Sequence, residues 1–327
     1  MEAPQVPQAP QAAPAPSLSL PIDCVPGKTC WISKFVDLDP GPGVLDYMCA
    51  GRANDRHSGV DIAIRDVSAM EAGISVLAAA PGVVTEARDG LPDVRVKVPG
   101  AEMVDGTGCG NGVAIAHGGG WFTHYCHMRQ GSIAVKTGDR VEAGQKLGQV
   151  GISGMSEYPH VHFMVRHGDT IVDPFLGVEG RPRGASCGLG THPLWTEAAL
   201  KALVYTPAAI FNAGFSSTMP ARDQARAGGF RDFALQRNAP TFFFWADLFG
   251  VEAGDELRMR LVDPDGKPLI QIKKTLEQRD ARWFQYIGKR RRGAPWRAGT
   301  YRGEVTLTGT RDGKTMETSD MRLLEVR

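Results

Sequence analysis

The sequence predicts an all-β protein, and three observations carry that prediction. Apolar residues come in short runs, of strand rather than helix length. Glycine is abundant, 40 of 327 residues, and it clusters in pairs and turns between those runs. The helical apolar period is hard to find anywhere over residues 57–175. A chain of 327 residues exceeds one ordinary domain, and its length suggests roughly two.

The elements follow in order. Residues 1–20, MEAPQVPQAPQAAPAPSLSL, form a Pro/Ala-rich tail that cannot bury a core. It is expected to be a disordered, extended linker. It lacks the charged and apolar regions of a signal peptide. Either there is no signal, or it has been removed and Met1 added, and the cysteines favour removal. Residues 20–50 carry three cysteines and the string Asp39-Pro40-Gly41-Pro42-Gly43, which reads as an irregular segment pinned by disulfides.

Strands are then expected at Val60–Ile64, Ser75–Ala79, Gly82–Ala87, Val94–Val98, Gly112–His117, Trp121–His127, Lys146–Gly151 and His160–Arg166. Asp173-Pro174-Phe175 closes this part. Thr196-Glu197-Ala198-Ala199-Leu200 reads as a helix start with Thr196 as N-cap. A second β pattern follows at Ala209–Phe215, Thr241–Leu248, Glu256–Val262, Leu269–Lys274, Ala281–Tyr286, Thr300–Leu307 and Met321–Val326. Turns such as Asp263-Pro264-Asp265-Gly266 and Arg311-Asp312-Gly313 punctuate it. Short strands with regular turns predict an immunoglobulin-like β-sandwich. The expected division is a linker over 1–20, a site-bearing domain with its Cys-rich opening over 21–195, and a C-terminal sandwich over 204–327.

Composition excludes several function classes. A net charge of +1 is too small for nucleic acid or an anionic membrane surface to be the main partner. The basic run Lys289-Arg290-Arg291-Arg292 reads as a solvated hairpin end. No stretch approaches the roughly 20 apolar residues of a transmembrane segment. A monomer is expected. None of the six cysteines forms a C-x-x-C, which argues against a zinc ribbon or a thioredoxin motif. Gly118-Gly119-Gly120 separates two strand-like runs as a hairpin would, and folding there brings Cys109 near Cys126. Cys24–Cys30 is the most local further pair. Disulfides point to an oxidising compartment, periplasmic or secreted.

Five residues carry the chemistry. His57 and Asp61 form H-x-x-x-D, and His160 and His162 form H-x-H. On a strand, residues two apart share a face, so both imidazoles of H-x-H leave together while Val161 and Phe163 point into the core. Gly59 lets the backbone turn between the first two ligands. Two imidazoles and a carboxylate make a three-ligand zinc site with one open position, the mark of catalytic rather than structural zinc. His127 is expected to share a face with Tyr125 and Thr123, opposite His124 and Cys126, and to reach the cleft. His117 reads as structural. Ser153-Gly154-Met155-Ser156 lacks a G-x-S-x-G setting, so it reads as a positioning turn rather than a nucleophile.

These motifs, in this order, resemble those of the lysostaphin/LytM-type zinc endopeptidases: H-x-G-x-D over 57–61, Y-x-H over 125–127 and P-H-x-H-F over 159–163. The flanks 112–117 and 138–148 agree, and the resemblance covers roughly residues 55–175. It implies an antiparallel β-sheet groove of the LytM-like, duplicated hybrid motif type. It implies one Zn2+ held by His57, Asp61 and His162, with His127 and His160 as the catalytic pair. Peptide cross-links of bacterial peptidoglycan are the implied substrate. Tyr125 and Tyr158 are the groove candidates, and Tyr158 stands where the family usually has Gly. The long stretch between Asp61 and His127 implies an enlarged groove loop around 99–111. The alternative is a catalytically idle member of the same fold that activates or scaffolds other wall hydrolases. Such proteins typically lack ligands, and none is missing here.

Overall fold

The computed structural model describes residues 14–95, 108–181, 186–311 and 313–327. The tail over 1–13, most of the loop expected around 99–111, residues 96–98 of the expected strand Val94–Val98, and Asp312 of the last turn lie outside them. Val94 and Arg95 belong to no strand.

The chain is built almost wholly from antiparallel strands. In the first part these are β1 (Cys30–Lys34), β2 (Val60–Ile64), β3 (Ser75–Leu77), β4 (Gly82–Arg88), β5 (Asn111–Gly118), β6 (Trp121–Met128), β7 (Arg140–Val141), β8 (Lys146–Gln149), β9 (His160–His167) and β10 (Thr170–Ile171). The main sheet runs β1-β2-β9-β6-β5-β4-β7, with β10 paired to β9, and β3 pairs with β8 in a small second sheet. Gly118, Gly119 and Gly120 all adopt positive φ at the β5–β6 reversal, which is why glycine occupies that turn. The core holds Val60, Ile62, Val161, Phe163 and Val165 from one face of the central strands.

Three local expectations change. The segment 20–50 contains strand β1, which pairs with β2 through a bulge at Ile32/Lys34. The tail orders before residue 20: Leu18 is fully buried, and its amide donates to the Leu194 carbonyl at 2.8 Å. The alternation Leu18-Ser19-Leu20 supplies the apolar side chains for this docking. A short helix, α1 (Val67–Glu71), also interrupts the β pattern, capped by the Asp66 carboxylate on the Ala69 amide.

Helix α2 (Glu197–Ala202) begins as expected, with Thr196 Oγ1 accepting from the Ala199 amide. Beyond it lie β11 (Ala209–Ser216), a short helix α3 (Arg222–Arg226), β12 (Thr241–Val251), β13 (Glu256–Val262), β14 (Pro268–Thr275), β15 (Asp280–Arg290), β16 (Gly299–Arg311) and β17 (Lys314–Val326). The sheets β11-β12-β15 and β14-β13-β16-β17 enclose one apolar core, with Phe242, Phe244 and Leu248 from the first and Leu257, Leu261 and Tyr301 from the second. The outer face of β12 turns toward the first part of the chain. There Phe211 and Phe249 meet Trp31, and the Arg52 guanidinium lies 4.8 Å from the Phe249 ring centroid.

Three disulfides cross-link the first part: Cys24–Cys30, Cys49–Cys187 and Cys109–Cys126. They mark an extracytoplasmic protein. Among the described residues no helix is long and apolar enough to cross a membrane.

Asp173 carries a testable strain. Its Oδ1 accepts from the Phe175 amide at 2.7 Å, while its buried Oδ2 has no partner among the described residues. Burial first, and then the nearby Asp46 charge, push its carboxyl up to about 7. The folded state therefore holds a proton that the unfolded chain releases near pH 4, so stability falls as pH rises from about 4 to about 7. Asp173→Asn is expected to be more stable than the parent at pH 8, by roughly 1–3 kcal/mol. That gain should shrink toward pH 4, as thermal unfolding at the two pH values will report. An equal difference at both would contradict this reading.

Candidate metal centre

The sheet register assembles the site. Asp61 in β2 lies directly opposite His162 in β9, and Cys126 in β6 lies opposite His162 on the other side. Opposed residues of an antiparallel pair share a face, so these three side chains leave together. Val60, Phe163 and Tyr125 occupy the other face.

Asp61 is the centre of the group. Its Oδ1 lies 2.8 Å from His162 Nδ1, 3.1 Å from His57 Nε2 and 3.5 Å from His160 Nε2. The donor atoms of His57, Asp61 and His162 all lie within 4.8 Å of one another, so this group could hold a metal ion. The second ring nitrogens fix the tautomers. His57 Nδ1 donates to the Phe35 carbonyl at 2.7 Å, leaving Nε2 with a lone pair toward the centre. His162 Nε2 faces Ser58 Oγ at 3.4 Å, leaving Nδ1 inward. Lone pairs converging at such distances repel unless a cation lies between them, and two nitrogens with one carboxylate suit zinc.

The other two imidazoles are held in the same way. His127 Nδ1 donates to the Ser153 carbonyl at 2.8 Å, and His160 Nδ1 donates to the Tyr158 carbonyl at 2.8 Å, with Ser156 Oγ at 3.2 Å. Both Nε2 atoms are then free lone pairs. The two rings lie 4.6 Å apart between centroids, and both are buried.

His127 reaches this place by a backbone device. It adopts φ +60°, an unusual conformation for a residue other than glycine. This breaks the alternation of β6. The expectation that His127 and Tyr125 share a face is therefore corrected: Tyr125 points into the core. It is 0% exposed, and its hydroxyl takes hydrogen bonds from the Ala79 amide and Thr123 Oγ1. It cannot line a groove. Cys126, expected on the opposite face, is the residue that shares the face of His162. Tyr158 does lie at the edge of the site, half-buried, with its ring 4.7 Å from that of His160 and its hydroxyl 3.0 Å from Ser33 Oγ.

Burial and charge set the protonation of the group. Burial alone would raise the Asp61 carboxyl, but the facing imidazoles His57 and His160 hold it well below the usual range. Burial opposes a charged His57, yet the Asp61 charge outweighs it and raises the imidazole. His127 is pushed well down by burial and by its neighbours His160 and His162. Burial lowers His160 too, with Asp61 acting in the opposite sense.

The orienting groups were not visible in sequence. Three are main-chain carbonyls, at Phe35, Ser153 and Tyr158, and every residue type has one. The Ser153 carbonyl has a weak signal, since Gly110 and Gly154 pack where a Cβ would meet backbone within 2.6 Å. Ser153 itself is fully buried, with Oγ donating to the Met128 carbonyl at 2.6 Å. His117 stands apart from the group, bonded to the Pro81 carbonyl and to Thr123.

Fold and donor set together make a candidate metal centre. The sequence profile of peptidase family M23 matches residues 55–174, about a third of the chain. Over 64 residues, 20% of this chain and 10% of the relative, it is 39% identical to the cell division protein DipM of Caulobacter vibrioides. Over 123 residues, 38% of this chain and 26% of the relative, it is 28% identical to an uncharacterized metalloprotease of Buchnera aphidicola. The catalytic domain of the prophage-encoded M23 protein EnpA from Enterococcus faecalis is structurally similar at 26% identity, covering 49% of this chain and 94% of that one, with a TM-score of 0.32. The chain thus spans 10% and 26% of the two curated relatives.

Gly59 lies in a bend before β2, as expected, and also leaves room for the site. A Cβ there would meet the Phe163 carbonyl at 2.6 Å and His162 Nε2 at 2.7 Å. Gly59→Ala is expected to displace the His162 ring and to weaken metal binding by tenfold or more, on the order of other changes to groups that orient ligands. Competition with a chromophoric chelator measures this. Unchanged affinity in a folded variant would contradict it.

Proposed function

We propose that the chain is a zinc-dependent endopeptidase that hydrolyses peptide cross-links of bacterial peptidoglycan in the periplasm or outside the cell. One observation carries this reading. The donor atoms of His57, Asp61 and His162 lie within 4.8 Å of one another, and two further buried imidazoles, His127 and His160, stand beside them with Nδ1 held by main-chain carbonyls. We assign His57 Nε2, Asp61 and His162 Nδ1 to the metal, and His127 and His160 to the chemistry. The domain limits we propose are 21–195 for the peptidase with its opening segment and 204–327 for an appended β-sandwich. The complete donor set favours this over an idle activator of other hydrolases.

When bound, zinc supplies Lewis acidity, which polarises the scissile carbonyl and makes a water nucleophilic near neutral pH. The protein handles the protons. His160 is neutral, with its Nδ1–H held by the Tyr158 carbonyl, so Nε2 is the acceptor for a proton from the attacking water. Asp61, 3.5 Å away, steadies the imidazolium that results. That imidazolium is then the donor to the departing amine nitrogen. His127 keeps a neutral ring and offers Nε2 as a hydrogen-bond acceptor that orients the water or the substrate amide.

His160→Ala in the zinc-loaded full chain is expected to retain zinc while losing about 10²–10⁴ of its rate. Mass spectrometry of products from purified cross-linked muropeptides reads this out. Intact muropeptides after treatment with the stoichiometrically zinc-loaded parent protein would overturn the proposal.

A further inference from the structure

The rim of the site carries two cations that its own chemistry does not use. Lys34 is paired with Asp61 across β1 and β2, so its side chain leaves the sheet on the same face as the donor group. Its charge acts on both His57 and His160. Its ammonium has no carboxylate or hydrogen-bond partner among the described residues.

From Lys34 the rim continues through side chains in contact. The adjacent Ser33 Oγ lies 3.0 Å from Tyr158 Oη. Over the Tyr158 ring, 5.3 Å from its centroid, lies the guanidinium of Arg282 from β15. Arg282 and Arg226 both pair with the one carboxylate of Asp247, at 3.3 and 3.0 Å. Two cations on one anion leave a positive charge uncompensated. Arg282 Nε is itself buried and without a partner among the described residues, and the guanidinium also packs 4.1 Å from the Phe211 ring centroid, so only its partly exposed Nη end can meet a ligand. A guanidinium stacked on an aromatic ring is weakly hydrated and keeps its planar fork of donors, which matches a carboxylate. The Asp61 carboxylate is turned to the imidazoles, and Glu157, next to Tyr158, is exposed.

We propose that Lys34 and Arg282, joined through Ser33 and Tyr158, form a subsite that holds a carboxylate of the substrate peptide beside the metal centre. The second part of the chain is then a wall of the groove and selects substrates by charge. This rests on the peptidase reading above and names the substrate feature that the site would recognise.

The test compares one preparation of cross-linked muropeptides before and after chemical amidation of its free carboxylates. Binding is measured by calorimetry on the zinc-free full chain, and kcat/KM on the zinc-loaded chain. The carboxylate form is expected to be preferred by roughly tenfold or more, the size of a hydrogen bond to a charged group. Lys34→Met and Arg282→Met should each move that ratio toward one. Thermal unfolding and zinc content establish that the variants fold. Should Arg282→Met fail to fold because Asp247 loses a partner, Lys34→Met on the strand surface carries the test. Equal binding and equal hydrolysis of both forms would overturn the subsite and leave the peptidase reading standing. A preference retained in full by both variants would also overturn it. No hydrolysis of either form, with the binding preference intact, would instead overturn the peptidase reading alone.

Discussion

A single buried oxygen, Asp61 Oδ1, organises the functional half of this protein. Three imidazoles approach it within 3.5 Å. A carboxylate this buried is costly unless it is paired and hydrogen-bonded, and here the partners come from two separate stretches of chain. His57 arrives four residues before it, and His160 and His162 arrive on the neighbouring strand through the β2–β9 register. A one-residue slip of that register would send Asp61 and His162 to opposite faces, so the sheet pairing and the site stand or fall together.

The rest of the frame holds rings rather than charges. Each of His57, His127 and His160 spends its Nδ1–H on a main-chain carbonyl, and this leaves each Nε2 with a free lone pair. For His127 the arrangement requires left-handed backbone, an unfavourable conformation of order 1–3 kcal/mol. The surroundings compensate it. The His127 amide donates to the Cys109 carbonyl at 2.7 Å, and its carbonyl accepts from the Gly151 amide at 3.0 Å. The adjacent Cys109–Cys126 disulfide closes a loop of 17 residues, a cross-link worth about 3 kcal/mol in the chain-entropy picture. It lies on the site face, so the bridge pins the strained residue as well as the fold.

Much of this was legible in the sequence, and the exceptions have physical causes. Most strands were readable because they carry short apolar runs bounded by turn residues, while the two-residue strands β7 and β10 are too short to show a pattern. The strand β1 was hidden by the turn-rich string 39–43 and by its cysteines, which read as irregular structure. The donor group was readable because H-x-H on a strand places two rings on one face. Tyr125 was misplaced because period-two reasoning assumes an unbroken strand, and the positive φ of His127 breaks it. Nothing in residue type announces that φ. The carbonyl clamps were beyond reach for a related reason: they belong to the backbone. Lys34 and Arg282 lie on separate sheets, far apart in sequence, so only the docking of the second part onto the first brings them to one rim.

The most direct test of the convergent donor group is the coordination of the metal itself. X-ray absorption or anomalous diffraction on the zinc-loaded protein should find one zinc per chain. His57 Nε2, His162 Nδ1 and an Asp61 oxygen should lie at about 2.0–2.2 Å, with one further position occupied by a non-protein ligand. Zinc bound elsewhere, or held without one of these three side chains, would contradict the assignment.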